Sequence, residues 1–257
     1  MSALALALLV PALSAQSIAE RVAKAPDGAV RMTFATRPGI CGHGDDNVTI
    51  RRGTRISNDR WSSDDVERDN YCEEGPARVV MSVRGGRVAS VRTYVGGNWR
   101  QRSDVTDLGV VSARAAADYL IQLAASGDAR AARDAIFPAT IADSSDVSPE
   151  LLRIARDERR PRDARKQAVF WVSQAAGDSA TKGLSELAES DDVDRDVREH
   201  AVFALSQRPR DEGVPALIRI ARTNKDPEVR RKAIFWLGQS DDPRALALFE
   251  ELILGKK

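Results

Sequence analysis

The chain has 257 residues and a formal net charge of +1, from 39 Lys+Arg against 38 Asp+Glu; 30% of residues are charged, 42% hydrophobic and 5% aromatic. That composition excludes a disordered chain and a multi-span membrane protein, and the near-neutral charge excludes the cationic footprint of a non-specific nucleic-acid binder. Two His and two Cys leave too few groups for a zinc cluster or for a Ser/His or Cys/His catalytic set.

Residues 1–15 begin MSALALALLV and continue through Pro11 to Leu13-Ser14-Ala15. A short apolar core ending in small residues reads as a secretory signal peptide cut after Ala15, although no Lys or Arg precedes it. It is shorter than the roughly 20 residues that span a bilayer. No later stretch is longer, so the expected product is periplasmic or secreted, with no membrane insertion once the signal is removed. In an oxidising compartment Cys41 and Cys72, 31 positions apart, are expected to form a disulfide worth about 3–4 kcal/mol of loop entropy. Metal binding by this pair needs two further ligands, and His43 is the only soft candidate nearby.

Residues 17–108 read as a small β-rich domain. Val30, Met32 and Phe34 alternate with Arg31, Thr33 and Ala35, the period of a half-buried strand. Val79–Arg84 and Arg87–Val95 flank Gly85-Gly86, a dipeptide suited to a two-residue hairpin turn. Between Arg37 and Gly75 the chain is rich in Gly, Asp, Asn and Ser, and so is loop-rich. Asp45 and Asp46, and Asp64 and Asp65, resemble loose calcium clusters, yet neither group has EF-hand spacing and Arg60 and Arg68 sit nearby. Solvated loop charge is the plainer reading.

From residue 110 to 257 the pattern turns helical. Ser112 can cap a helix through Leu123, and a second helix after Gly127-Asp128 is expected to be interrupted at Pro138. Then the sequence repeats itself. Ala168-Val169-Phe170-Trp171-Val172-Ser173-Gln174 aligns with Ala201–Gln207 and Ala233–Gln239, at a period of about 33 residues. A second helical pattern recurs in step at 150–156, 183–189, 216–222 and 247–253. Two helices per fixed period define an α-solenoid, in which each unit covers its neighbour's apolar face. On this reading Phe170, Phe203 and Phe235 form a buried spine.

The repeats resemble the short HEAT-like family, including the kind found in phycobilisome lyases. The match lies in the openings Asp194-Arg195-Asp196-Val197-Arg198 and Asp226-Pro227-Glu228-Val229-Arg230, each running into an Ala-hydrophobic-Phe core. Asp226 can cap its helix and Pro227 suits the first turn; Pro161-Arg162-Asp163-Ala164-Arg165 departs from the spacing. The resemblance covers about residues 147–254 and implies a surface that holds proteins or peptides. A di-iron hydroxylase built from such repeats carries paired His-Glu steps. Glu199-His200 is the only comparable pair here, in reversed order, and one pair with a distant His43 cannot assemble that site. His200 reads instead as a helix-surface residue.

The fold class expected is α+β: a small β-rich N-terminal domain followed by an α-solenoid of HEAT-like hairpins. The function expected is an exported, non-catalytic protein-interaction module with no cofactor, no metal and no nucleic-acid partner. Its candidate partner-binding residues are Trp171, Trp236, Arg219, Arg222 and Glu186. The two Trp have two readings, anchors on a binding face or packing between repeats, and their position directly after the expected core Phe favours packing. The alternatives are a metal-dependent enzyme using Asp45, Asp46, Asp64 and Asp65, a HEAT-like oxidoreductase or lyase, and a β-domain ligand sensor held by a structural solenoid.

Overall fold

The computed structural model describes residues 16–50, 54–56, 72–143, 145–175 and 178–254. The apolar leader at 1–15, Asp64 and Asp65 lie outside the described residues.

Helix α1 (Ile18–Ala23) opens the described chain. Ser17 accepts from the Glu20 N–H while the Glu20 carboxylate takes the Ser17 N–H, a reciprocal capping box. Among the described residues eight strands follow: β1 (Gly28–Phe34), β2 (Ile40–Gly42), β3 (Val48–Ile50), β4 (Thr54–Ile56), β5 (Glu73–Glu74), β6 (Ala77–Arg84), β7 (Arg87–Val95) and β8 (Val105–Val110). They form two four-stranded sheets, ordered β7-β6-β1-β8 and β4-β3-β2-β5. The β6–β7 hairpin turns on Gly85 and Gly86 at φ +54° and +71°, the left-handed conformations that a primed turn requires.

The larger sheet is antiparallel except where β8 runs parallel to β1. Its inner face carries Val30, Met32, Phe34, Val79, Met81 and Val83, all buried. Arg31 alternates away from them, yet it is buried as well. Its guanidinium bonds Asp107 at 2.8 Å and the Arg100 carbonyl at 3.0 Å and lies 4.9 Å over the Trp99 ring. Burial raises the Asp107 carboxyl, but the Gly109 N–H and Arg31 outweigh it and hold the group below its usual value.

The two sheets meet at glycine. A Cβ on Gly42 would lie 2.5 Å from the Val95 carbonyl oxygen, and one on Gly96, at φ +73°, 2.7 Å from the Gly42 oxygen. Only hydrogen fits there. Cys41 and Cys72 are joined as a disulfide with Cα atoms 5.3 Å apart, tying β2 to the chain that enters β5.

The helices run α2 (Ala113–Ser126), α3 (Ala129–Thr140), α4 (Ser148–Arg156), α5 (Arg162–Ser173), α6 (Asp178–Glu189), α7 (Arg195–Ser206), α8 (Arg210–Thr223), α9 (Pro227–Gly238) and α10 (Pro243–Leu254). Hairpins α2/α3, α4/α5, α6/α7 and α8/α9 stack so that α3, α5, α7 and α9 form one row, and α2, α4, α6, α8 and α10 the other. Pro138 does not interrupt α3, which continues to Thr140. The proline falls in the last turn, where the strain it imposes on the helix has little length to act over.

The two halves share one hydrophobic core that extends without a break from Ile18 to Leu248. The turn after α3 is laced to the turn after β1: Arg37 donates to the Ile141 carbonyl at 2.9 Å and Asp143 to the Ala35 carbonyl at 3.0 Å. Helix α3 packs on β7. The first helical hairpin therefore covers the sheet while starting the stack.

The expected phenylalanine spine is overturned. Ala168, Val169 and Val172, Ala201, Val202 and Leu205, and Ala233 and Leu237 are the buried stripe, whereas Phe170 and Phe203 are half-buried and Phe235 is 53% exposed. At about 100° per residue, a side chain two positions after Ala168 points roughly 200° away from it, and one three positions after returns to within about 60°. Phe170 therefore faces outward and Trp171 inward.

Candidate functional site

The α3–α9 row presents a series of aromatic side chains generated by the repeat. Trp171, 2% exposed, stacks against Phe137 of the preceding repeat at 5.0 Å and meets its neighbour Phe170 edge-on at 5.2 Å. Two repeats on, Trp236 sits between Phe203 at 5.0 Å and Phe235 at 5.1 Å in the same way. Each indole is thus held between its own repeat's Phe and that of the repeat before. Both indole N–H groups are buried without an acceptor among the described residues, so the Trp side chains act as apolar packing beneath the Phe rings.

Ala204 stands where a third Trp would be, and the row divides there into two aromatic clusters. The residue four positions after each Trp is small, Ala175 and Ser240; four after Ala204 it is Arg208. That guanidinium is buried and donates to the Ser173 carbonyl at 3.1 Å, the Ala175 carbonyl, Thr181 Oγ1 at 2.9 Å and Glu212 at 2.7 Å. Arginine thus closes the repeat that lacks the ring.

Polar side chains flank the aromatics. Glu199 pairs with Lys232 at 3.5 Å, and Asp196 takes Arg162 at 2.8 Å. His200, half-buried and 5.5 Å from Phe203, has its pKa lowered by burial and by nearby Lys166, which favours neutral imidazole at pH 7. The helix-opening aspartates link successive repeats. Asp226 accepts from the Glu228 N–H at 2.9 Å and also from Arg198 and Arg195 of the preceding repeat, at 2.9 and 3.2 Å. Buried Arg165 reaches Asp194 in the same manner. Burial raises the Asp226 carboxyl, but the Glu228 N–H and the two arginines hold it below its usual value.

Arg219, Arg222 and Glu186 lie on the other helix row and are not brought together with the Trp side chains. Each is paired across a repeat boundary: Glu186 with Arg156 at 3.5 Å, Arg219 with Glu189 at 3.1 Å and Arg222 with Glu251. They form an ionic ladder along the stack. The residues that sequence reasoning misplaced are Phe170, Phe203 and Phe235, and their offset from the buried Ala positions was the signal that could have found them.

In the β half, Asp45 accepts from the Asn47 N–H at 3.1 Å and from its amide at 3.2 Å, a local turn. No group of three or more His, Cys, Asp or Glu among the described residues is placed to hold a metal ion. No helix among them is long and apolar enough to cross a membrane.

No curated protein and no solved structure matches the chain. The family model for HEAT repeats matches residues 181–256. The C-terminal region of this chain is a stack of HEAT-like helical repeats.

Proposed function

We propose that the chain is an exported, non-catalytic module that holds a protein or peptide partner on the α3–α9 row. The observation that carries this reading is the outward register of Phe170, Phe203 and Phe235. Large aromatic rings recur at one position of successive repeats, half-buried or, at Phe235, more exposed than buried. The rings cover the Trp side chains beneath them, yet that packing leaves Phe235 53% exposed, and aromatic side chains on a rigid surface are what interfaces use as anchors. The disulfide supports the exported part of the reading, since such bonds persist in oxidising compartments. The ladder of Arg219, Arg222 and Glu186 serves the stack and stays outside the proposed surface.

The test is capture from the native envelope with the wild-type chain and with Phe170→Ser/Phe203→Ser/Phe235→Ser as baits. A partner retained by the first and lost by the second, at unchanged helix content, is the expected result. Equal retention contradicts the reading. Stoichiometric metal in the purified chain would favour a metal-dependent enzyme instead.

A further inference from the structure

We propose that the cleft where β7 meets α3 and α5 binds an acidic peptide segment, an Asp or Glu beside an apolar residue. The proposal rests on the α3–α9 row being the partner surface and names the chemistry that one end of it recognises. The cleft has a volume of about 570 Å³ and takes its lining from both halves of the chain. Phe137 and Trp171, stacked at 5.0 Å, supply its aromatic wall.

Its charge is unbalanced in one direction. Arg92 of β7 and Arg130 and Arg133 of α3 face two carboxylates, Asp46 and Asp134. Arg133 bonds Asp134 through Nε and Nη2 at 3.1 Å each, while Arg130 stands 3.7 Å from the same carboxylate, beyond hydrogen-bond reach. Arg92 has neither hydrogen bond nor ion pair among the described residues, and it is exposed. A planar guanidinium with free donors takes a carboxylate through two parallel bonds. The adjoining Phe137 ring takes an apolar neighbour of that carboxylate.

Asp46 in the same lining repels a second acid close by, so one acid beside an apolar residue fits better than a polyacidic run. A nucleic acid fits worse still. Its phosphate track needs a continuous run of cations, whereas this cleft holds two carboxylates and the whole chain carries only +1.

The test uses the intact chain and two fluorescein-labelled probes: Gly-Ser-Leu-Glu-Phe-Ser-Gly and the same peptide with Gln for Glu. Fluorescence anisotropy is expected to show saturable binding of the Glu peptide, weakened by salt. The Gln peptide is expected to bind roughly tenfold more weakly, and Arg92→Glu to weaken the Glu peptide by about the same factor. Arg219→Ala, on the other helix row and outside the proposed surface, is expected to leave the affinity unchanged. Equal binding of the two peptides, binding of neither, or an unchanged affinity in Arg92→Glu overturns the proposal. So does displacement of the peptide by a single-stranded oligonucleotide at equal concentration. If the triple Phe variant loses its partner while Arg92→Glu binds the probe like wild type, the partner surface stands and this cleft assignment falls.

Discussion

Replacing Trp171 with Ala separates the inward-facing aromatics from the outward-facing ones more sharply than any other single change. Trp171 is 2% exposed, so nearly all of its 150–250 Å² leaves water, and at about 25 cal/mol per Å² this contributes roughly 4–6 kcal/mol. Its indole N–H has no acceptor among the described residues, which offsets about 1–3 kcal/mol of that gain. The cavity left behind partly cancels the offset, and Trp171→Ala is expected to cost about 4 kcal/mol. Phe235, 53% exposed, buries no more than half of a similar area, so Phe235→Ala is expected to cost at most about 2–3 kcal/mol. Trp171→Phe keeps a ring and removes the orphaned donor, and is expected to stay within about 1 kcal/mol of wild type. Thermal unfolding followed by far-ultraviolet circular dichroism reads the difference, with Trp171→Ala melting roughly 8–16 °C below wild type. If Phe235→Ala proved the more damaging substitution, the inward and outward assignments would be wrong.

Gly42→Ala places a methyl group where 2.5 Å separates it from the Val95 carbonyl oxygen; a loss of about 2 kcal/mol or more in urea unfolding is expected, and a neutral result would mean that the sheets do not meet there. Cys41→Ser removes a cross-link that closes a 31-residue separation and is expected to cost about 3–4 kcal/mol, checked by comparing melting temperatures with and without reductant. Asp107 has a folded pKa below its usual 3.8, so its contribution is present above that value and is lost as pH falls through the lower folded one. Asp107→Asn is therefore expected to be less stable than wild type near neutral pH and to lose less on acidification, read from urea midpoints between about pH 6 and pH 2.

Much of the architecture was legible because it rests on local rules. Gly85-Gly86 between two β-branched runs specifies a hairpin, and the 33-residue recurrence of Ala-hydrophobic-Phe specifies stacked helix pairs. Helix α1 was legible in principle too, since Ser17 and Glu20 stand at capping-box spacing. The phenylalanines misled because hydrophobicity alone does not distinguish Val169 from Phe170; only their angular offset from Ala168 does, and it assigns the larger ring outward. The joining of the two halves could not be read at all. The bridge between Thr36 and Ala142 depends on backbone groups far apart in the chain, with no side-chain pattern to mark it. The cleft lined by Arg92 and Arg130 arises from that same long-range docking, which is why neither residue stood out in the sequence.

On the proposed function the partner docks on the α3–α9 row and leaves the other helix row free. A photo-reactive phenylalanine analogue placed singly at Phe203, Phe235, Arg219 and Arg222, then irradiated in the native host, tests this directly. Adducts of a single higher mass from positions 203 and 235, with none from 219 and 222, are the predicted result. Adducts confined to positions 219 and 222 would put the partner on the α4–α10 row and contradict the account.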